Sequence, residues 1–282
     1  MPRDFGDPLV VVLPVAAVLA AAALGARWLL PRLLRTTASG PGHRLPVPPE
    51  WWPWIEQRVP QVAALEPPDR DNLLQLVAHF IREKRFEGAG GAAVTDEMKV
   101  VIAAQACFLT LKVAGPLYPS LSVVVVYPSG FVARQTEMGR TMNLPRHHGP
   151  LAGEALSGVV ALDWEDVLRG AADPRDGRNV VFHEFAHQLD FEDGRAGGVP
   201  VLPADSYQRW GAIMREALDH LQQCVNDDVA SALDPYGATN RAEFFAVATE
   251  AFFERPDDVR AEYPALYEAL REFYGQDPGR LD

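Results

Sequence analysis

Hydrophobic and polar positions recur with different periods along the chain, and these periods predict its helices and strands. Apolar side chains spaced three and four positions apart predict a helix over 67–85, and a second, buried helix over 95–114. Uninterrupted apolar runs bounded by turn residues predict strands over 122–127 and 158–164. Both kinds of element therefore occur in the first part of the chain.

The remainder of the chain has mainly helical spacing. Helices are predicted over 177–190, 206–225 and 257–275, and a further helix begins near Thr239 or Asn240. Strands that come early and helices that come late are typical of an α+β domain. We therefore expect an α+β fold in which helices surround a small mixed sheet.

An uncharged apolar run of 18 residues, 9–26, lies near the N-terminus and is at the lower length limit for a transmembrane helix. Three positive charges follow it: Arg27, Arg32 and Arg35. By the positive-inside rule we expect a single-pass inner-membrane anchor over 1–36, inserted through residues 9–30, with the catalytic domain in the cytoplasm. The alternative is a cleaved signal peptide that exports the protein, although the first seven residues carry little positive charge.

The segment 37–50 is rich in Pro, Gly and small polar residues, which predicts a linker. A single globular domain is expected over 51–282, and a hydrophobic content of 48% supplies enough apolar surface for its core. The formal net charge of −12 argues against direct nucleic-acid binding, because contacts to phosphates need a basic face.

The chemically informative pattern is His183-Glu184-x-x-His187 within the predicted helix 177–190. Histidines four positions apart share one helical face, so their imidazoles can converge on one Zn²⁺ ion. Glu184 can then reach a zinc-bound water as general base. A surface helix with two unrelated histidines is the alternative, but it predicts charged flanks, and only Glu184 is charged between Asn179 and Leu189.

A catalytic zinc needs a third protein ligand, for which Glu243 and Glu250 are candidates. They are seven positions apart on one face of an apolar helix, where an unpaired carboxylate would be costly to bury. A metal ion, or a histidine that binds one, would satisfy them. Glu243 could instead form a capping box with Asn240, and Glu250 could be a surface residue near the helix end. Spacing alone favours neither carboxylate.

Other candidate ligands have simpler interpretations. The pair His147-His148 lies in a polar stretch and is interpreted as part of an exposed loop rather than a metal site. Cys107 and Cys224 lie in apolar helical segments and are interpreted as buried thiols, too few for a cysteine zinc site without histidine support. His220 is interpreted as a solvated residue that suits a helix C-terminus.

Four segments, taken together in their order and spacing, identify a protein family more specifically than the five-residue motif does. They are VVFHEFAHQLDFEDG (180–194), GVP (198–200), DPYGATNRAEFFAVATEAFFE (234–254) and FYGQDP (273–278). With them the chain resembles the Mlc titration factor A family of zinc-dependent peptidases. The resemblance extends from about Trp54 to Pro278.

The resemblance implies one Zn²⁺ per chain, with His183, His187 and Glu243 as ligands and Glu184 as the catalytic base. Tyr236 would help to stabilise the oxyanion of a tetrahedral intermediate by donating a hydrogen bond from its phenol. A zincin-like core is also implied, in which an edge strand binds the main chain of the peptide substrate.

Two functions follow from the resemblance. The first is aminopeptidase-like hydrolysis of a peptide substrate by the Glu-activated, zinc-bound water. The second is a regulatory role, in which the protein binds and sequesters a transcriptional repressor of the Mlc type. Asp190, three residues after His187, and Glu250 are candidates to orient the metal-bound histidines. Asp190 could equally be a polar helix end without a role.

Overall fold

The computed structural model describes residues 44–89, 92–127, 158–194 and 197–280. The predicted anchor over 1–36, the first part of the predicted linker and the pair His147-His148 lie outside these ranges. From Leu45 onward the described residues belong to one compact unit.

Three short strands form the described sheet, in the order β1-β2-β3. They are β1 (Arg85–Gly88), β2 (Val123–Tyr127) and β3 (Val159–Asp163). Each neighbouring pair is parallel, so the expectation of a mixed sheet is wrong for the described strands. The physical reason is visible between β1 and β2, where a buried helix makes the crossover that parallel strands need.

Ten helices are described. They are α1 (Trp51–Arg58), α2 (Pro60–Ala63), α3 (Pro67–Glu83), α4 (Asp96–Leu109), α5 (Trp164–Ala172), α6 (Val180–Asp190), α7 (Tyr207–Asn226), α8 (Arg241–Glu254), α9 (Pro256–Glu262) and α10 (Pro264–Tyr274). Three 3₁₀ turns accompany them: Phe191–Asp193, Pro235–Ala238 and Pro278–Arg280. The single helix expected over 257–275 is two helices, because Pro264 lacks the N–H that a continuous helix needs there.

Aromatic packing fixes the helix that carries the histidine motif. Phe182 of α6 stacks on Phe108 of α4 with ring centroids 6.2 Å apart, and it lies 5.5 Å from the ring of Phe253 on α8. Phe185 lies on the same helix with its ring centroid 4.8 Å from that of Tyr118. These side chains are buried, so α6 is held between α4 and α8 by close-packed contacts.

The predicted location in the inner membrane, through an anchor over residues 9–30 and with a cytoplasmic catalytic domain, is contradicted. No helix in the described ranges has both the length and the apolarity needed to cross a bilayer. The longest described helix, α7, has 20 residues but carries charged side chains such as Arg215 and Glu216. Residues 9–30, on which the anchor and the signal-peptide alternative both depended, lie outside the described part of the chain.

Candidate metal centre

Asn179 fixes the start of α6. Its side-chain oxygen accepts hydrogen bonds from the N–H groups of Val181 and Phe182, both at 3.1 Å, which caps the helix. Its side-chain nitrogen donates to Gln105 on α4 and to Glu254 on α8, again at 3.1 Å. The residue is buried, so the three helices meet at a fully bonded polar group just before the motif.

The predicted ligands His183, His187 and Glu243 come together between α6 and α8. The two Nε2 atoms are 3.2 Å apart, and Glu243 Oε2 lies 3.1 Å from His183 Nε2 and 3.5 Å from His187 Nε2. Tetrahedral bonds of about 2.0–2.2 Å to a Zn²⁺ ion place neighbouring donor atoms about 3.3–3.5 Å apart. The spacing of the three donor atoms therefore fits a single metal ion.

The tautomer of His183 supports the same conclusion. Its Nδ1 lies 2.6 Å from Glu250 Oε1, and since a carboxylate only accepts, this ring nitrogen carries the hydrogen. In the neutral imidazole, Nε2 then presents a lone pair toward Glu243 and His187. Lone pairs and a carboxylate that converge on one point repel each other unless a proton or a metal ion lies between them, so the donor set suits a cation.

The pKa shifts of His183 and Glu243 also favour a positive charge at the point where the donor atoms meet. Burial works to lower the pKa of His183, but hydrogen bonds to Glu243 and Glu250 outweigh it and raise this pKa to about 10. Burial works to raise the pKa of Glu243, but both motif imidazoles outweigh it and lower this pKa to about 2. A metal ion would supply the positive charge that these carboxylates attract.

Glu184 and Tyr236 face the same cleft as His183. The cleft has a volume of about 290 Å³, and all three side chains line it. The ring of Tyr236 lies 6.1 Å from that of His183, centroid to centroid. Burial, and then the charges of Glu243 and Glu184, raise the pKa of Tyr236 to about 12, so its phenol keeps its proton at neutral pH.

Comparison with known proteins agrees with this geometry. The sequence model of the family described as glucose-regulated metallo-peptidase M90 matches residues 35–275. The chain belongs to this family. The earlier resemblance to Mlc titration factor A is confirmed, since proteins of that name are among the relatives of the chain.

Three relatives show the extent of the likeness. An uncharacterized protein of Synechocystis is 38% identical over 236 residues, which cover 83% of this chain and 86% of the relative. Mlc titration factor A of Klebsiella pneumoniae is 32% identical over 232 residues, 80% of this chain and 86% of the relative. The protein of that name from Escherichia fergusonii is 31% identical over 234 residues, with the same coverage. Membership of this family makes the chain metallopeptidase-like and implies a metal ion. The buried group of His183, His187 and Glu243 has the donor atoms that could hold one.

The two carboxylates expected to orient the ligands of this M90 protein differ in their contacts. Glu250 lies against His183 and also accepts a hydrogen bond from the N–H of Asn179 at 2.6 Å. Asp190 instead accepts from the N–H groups of Val199 at 2.6 Å and Gly197 at 3.2 Å. The hydrogen bonds of Asp190 therefore hold the loop after α6, whereas those of Glu250 hold a motif histidine and the start of α6.

The polar residues behind the M90 site were not found by sequence reasoning. Glu254 accepts from the N–H of Arg178 at 2.9 Å, in addition to its bond from Asn179. Burial and the nearby Glu250 carboxylate outweigh these bonds and raise the pKa of Glu254 to about 9. Two signals were available: an Asn directly before the apolar run of α6, and a Glu one helical turn after Glu250.

Arg178 and Asp234 connect the motif helix to the turn that carries Tyr236. The Arg178 guanidinium donates to Asp234 Oδ2 at 2.8 Å, and Asp234 Oδ1 accepts from the N–H of Tyr236 at 2.9 Å. The turn Pro235–Ala238 is thus fixed beside the cleft. This connection places the phenol near the imidazoles although the two segments are far apart in sequence.

Proposed function

We propose that the protein is a zinc-dependent peptidase in which His183, His187 and Glu243 hold the metal ion. The observation that carries this proposal is the convergence of their three donor atoms, 3.1–3.5 Å apart, beside the cleft that Glu184 lines. Two imidazole nitrogens and one carboxylate oxygen suit zinc and leave a coordination position open. When bound, zinc polarises the substrate carbonyl and lowers the pKa of water.

The side chains of the cleft supply the proton transfers. Glu184 is half-buried next to His183, where its carboxylate takes a proton from the attacking water and returns it to the leaving amine. The phenol of Tyr236 keeps its proton and donates to the oxygen of the carbonyl under attack. Glu250 accepts from His183 Nδ1 and so keeps Nε2 of that ring directed at the metal position.

The edge of the sheet offers a place for the main chain of the peptide. Among the described strands β3 lies at one of the two edges, and it packs against the motif helix α6. An extended substrate can add to such an edge through main-chain hydrogen bonds, which do not depend on its side chains. The scissile carbonyl would then lie near His183 and Glu184, which line the cleft.

The proposal is tested by peptide hydrolysis with the full chain. We expect a mixed peptide library to lose N-terminal residues, a chelator to stop the reaction, and one equivalent of Zn²⁺ at the centre to restore it. Hydrolysis that continues after the metal has been removed, as measured by elemental analysis, would rule out the zinc mechanism.

An aminopeptidase-like preference is supported by the charges that line the cleft. Five carboxylates and two guanidinium groups line it: Asp166, Asp176, Glu184, Asp234, Glu250, Arg169 and Arg178. Both arginines are paired with cleft carboxylates, Arg169 with Asp166 and Arg178 with Asp234. The excess of negative charge favours a substrate end that is positively charged, such as a free amino terminus.

Substituting Asp176→Asn tests this preference. Asp176 is exposed in the cleft, so the expected effect is modest: KM for peptides with a free amino terminus should rise by about 2–5-fold. KM for the same peptides with an acetylated terminus should not change. Asp173→Asn, also exposed but outside the cleft lining, is the matched control. Equal cleavage of free and acetylated peptides by the wild-type protein would contradict the preference.

Substituting Tyr236→Phe tests the phenol as a donor to the oxyanion. Removal of one such donor is expected to lower kcat by about 10²–10³-fold and to leave KM and metal content nearly unchanged. Tyr207→Phe, an exposed tyrosine outside the cleft lining, is the control and should keep wild-type kcat. Steady-state kinetics and elemental analysis of the purified variants measure both quantities. A kcat equal to that of the wild type would remove Tyr236 from the mechanism.

A second candidate function is the sequestration of a transcriptional repressor. The name of several relatives, Mlc titration factor A, favours it, and the formal charge of −12 suits a partner with a basic face. The test is binding of purified Mlc repressor to the wild-type protein and to the Glu184→Gln variant. Sequestration predicts equal binding by both proteins, whereas hydrolysis of the repressor predicts a stable complex with the variant only.

A further inference from the structure

A second cluster of metal-ligating side chains lies away from the M90 site. His220 and Cys224 are one turn apart near the end of α7, and Glu262 is the last residue of α9. None of the three lines the cleft. One ligand atom from each residue lies within 4.8 Å of the other two.

The fold holds Glu262 in place for this cluster. Glu262 Oε2 accepts from the N–H of Ala232 at 2.6 Å, and Oε1 accepts from the Ser231 hydroxyl at 2.8 Å. The His220 ring packs edge-on against the ring of Tyr263, with centroids 5.1 Å apart. The carboxylate and the imidazole are therefore positioned by groups that are not part of the cluster itself.

The two distances from His220 are close to those around a tetrahedral ion. His220 Nε2 lies 3.2 Å from Glu262 Oε1 and 3.7 Å from Cys224 Sγ. Bonds of about 2.3 Å to sulfur and 2.0–2.2 Å to nitrogen and oxygen place tetrahedral donors about 3.3–3.6 Å apart. Hydrogen bonds from His220 to Glu262 and to the Cys224 thiol one helical turn away have the same two distances. What points to a metal ion is that a sulfur, an imidazole nitrogen and a carboxylate oxygen lie together, a donor set that transition metals prefer.

We propose that His220, Cys224 and Glu262 form a second metal site, for a divalent transition-metal ion of the zinc class. Sulfur and imidazole donors together select zinc or cobalt over magnesium and calcium. On binding, the Cys224 thiol releases its proton to solvent and the thiolate sulfur becomes the ligand. The His220 side chain is 48% exposed, so the ion can enter from solvent and water can fill the fourth position.

The location of the site indicates what an ion there would do. It would join the end of α7 to α9 and, through Glu262, to Ser231 and Ala232. The chain then continues from these residues to Asp234 and Tyr236 beside the cleft. Occupancy would therefore stabilise the folded protein and hold the segment that leads to Tyr236.

Titration with Co²⁺ tests the site, because a cobalt–thiolate bond has a charge-transfer absorption band and the M90 ligands contain no sulfur. We expect the full chain to bind two equivalents of Co²⁺ and to develop this band. Cys224→Ser should lose the band and one equivalent, and the exposed His220→Ala should do the same without a change in fold. Cys107→Ala is the matched control and should keep the band and both equivalents of Co²⁺. Cys107 is fully buried on α4, and burial raises its pKa, so its thiol is not available to a metal ion.

The outcome is separable from that of the peptidase proposal. In the Glu243→Gln variant, whose M90 centre is impaired, the thiolate band should persist and Zn²⁺ should still raise Tm. In Glu243→Gln combined with Cys224→Ser, one equivalent of Zn²⁺ should no longer raise Tm, and only an excess should do so. One equivalent of bound Co²⁺ without a thiolate band, or a band that survives in Cys224→Ser, would overturn the second site whatever the peptidase assays show.

Discussion

Replacing Glu184 by Gln is expected to lower kcat/KM for peptide hydrolysis by about 10²–10⁴-fold while the metal stays bound, the range typical of a lost general base. Gln has nearly the same shape as Glu but cannot take a proton from water. Glu184 lines the cleft next to His183 and is not one of the three converging donors, so the metal centre should stay intact.

Hydrolysis and metal content should be measured on the same preparation of this variant. Glu216→Gln, which removes one carboxylate from the exposed face of α7, is the matched control and should keep wild-type activity. Loss of metal in Glu184→Gln would mean that the substitution acts on binding rather than on proton transfer. Activity within a few-fold of the wild type would reject Glu184 as the base.

The helix that carries the motif could be predicted closely because its signals are local. Asn179 supplies the cap, and the apolar residues around His183 and His187 leave only the ligand face polar. The predicted helix began at residue 177 and the observed one begins at Val180, since the side chain of Asn179 satisfies the first N–H groups. Capping and periodicity are properties of neighbouring residues, so a sequence without an alignment shows them.

The roles of Glu243 and Glu250 could not be separated in this way. Their spacing places both on one face of α8, and the structure places both against His183. They differ in which ring nitrogen they meet: Glu250 meets Nδ1, and Glu243 meets Nε2, which also faces His187. That difference depends on how α8 lies across α6, which is a tertiary property that local spacing does not contain.

The strands of the sheet could also be predicted only in part from local sequence. β2 was predicted because its run of valines is typical of a buried strand, and β3 was predicted with one residue too many at each end. β1 was not predicted, and the helix before it was predicted to continue to residue 85. The sequence of β1, Arg-Phe-Glu-Gly, has charged exposed positions and only four residues, so its pairing with β2 determines it more than its composition does.

Glu243→Gln is expected to weaken zinc binding at the M90 centre by more than about 100-fold, since loss of a partner that only orients a ligand already costs 10–100-fold. The carboxylate of Glu243 is buried, and the two imidazoles lower its pKa to about 2, so it is negatively charged at neutral pH. The amide keeps the size of the side chain but removes this charge. Hydrolysis should fall in parallel and recover in part with excess Zn²⁺.

Competition with a chromophoric chelator measures this affinity, in a Cys224→Ser background so that only one centre is counted. Glu254→Gln is the control for packing: it makes the same substitution on the same helix at a buried group outside the three donors, and the pKa of Glu254 of about 9 leaves that group uncharged at neutral pH, so zinc should stay bound. If both variants lost zinc, the effect would lie in the packing of α8. If Glu243→Gln kept wild-type affinity while His187→Ala lost it, the third ligand would be another residue, with Glu250 the first to test.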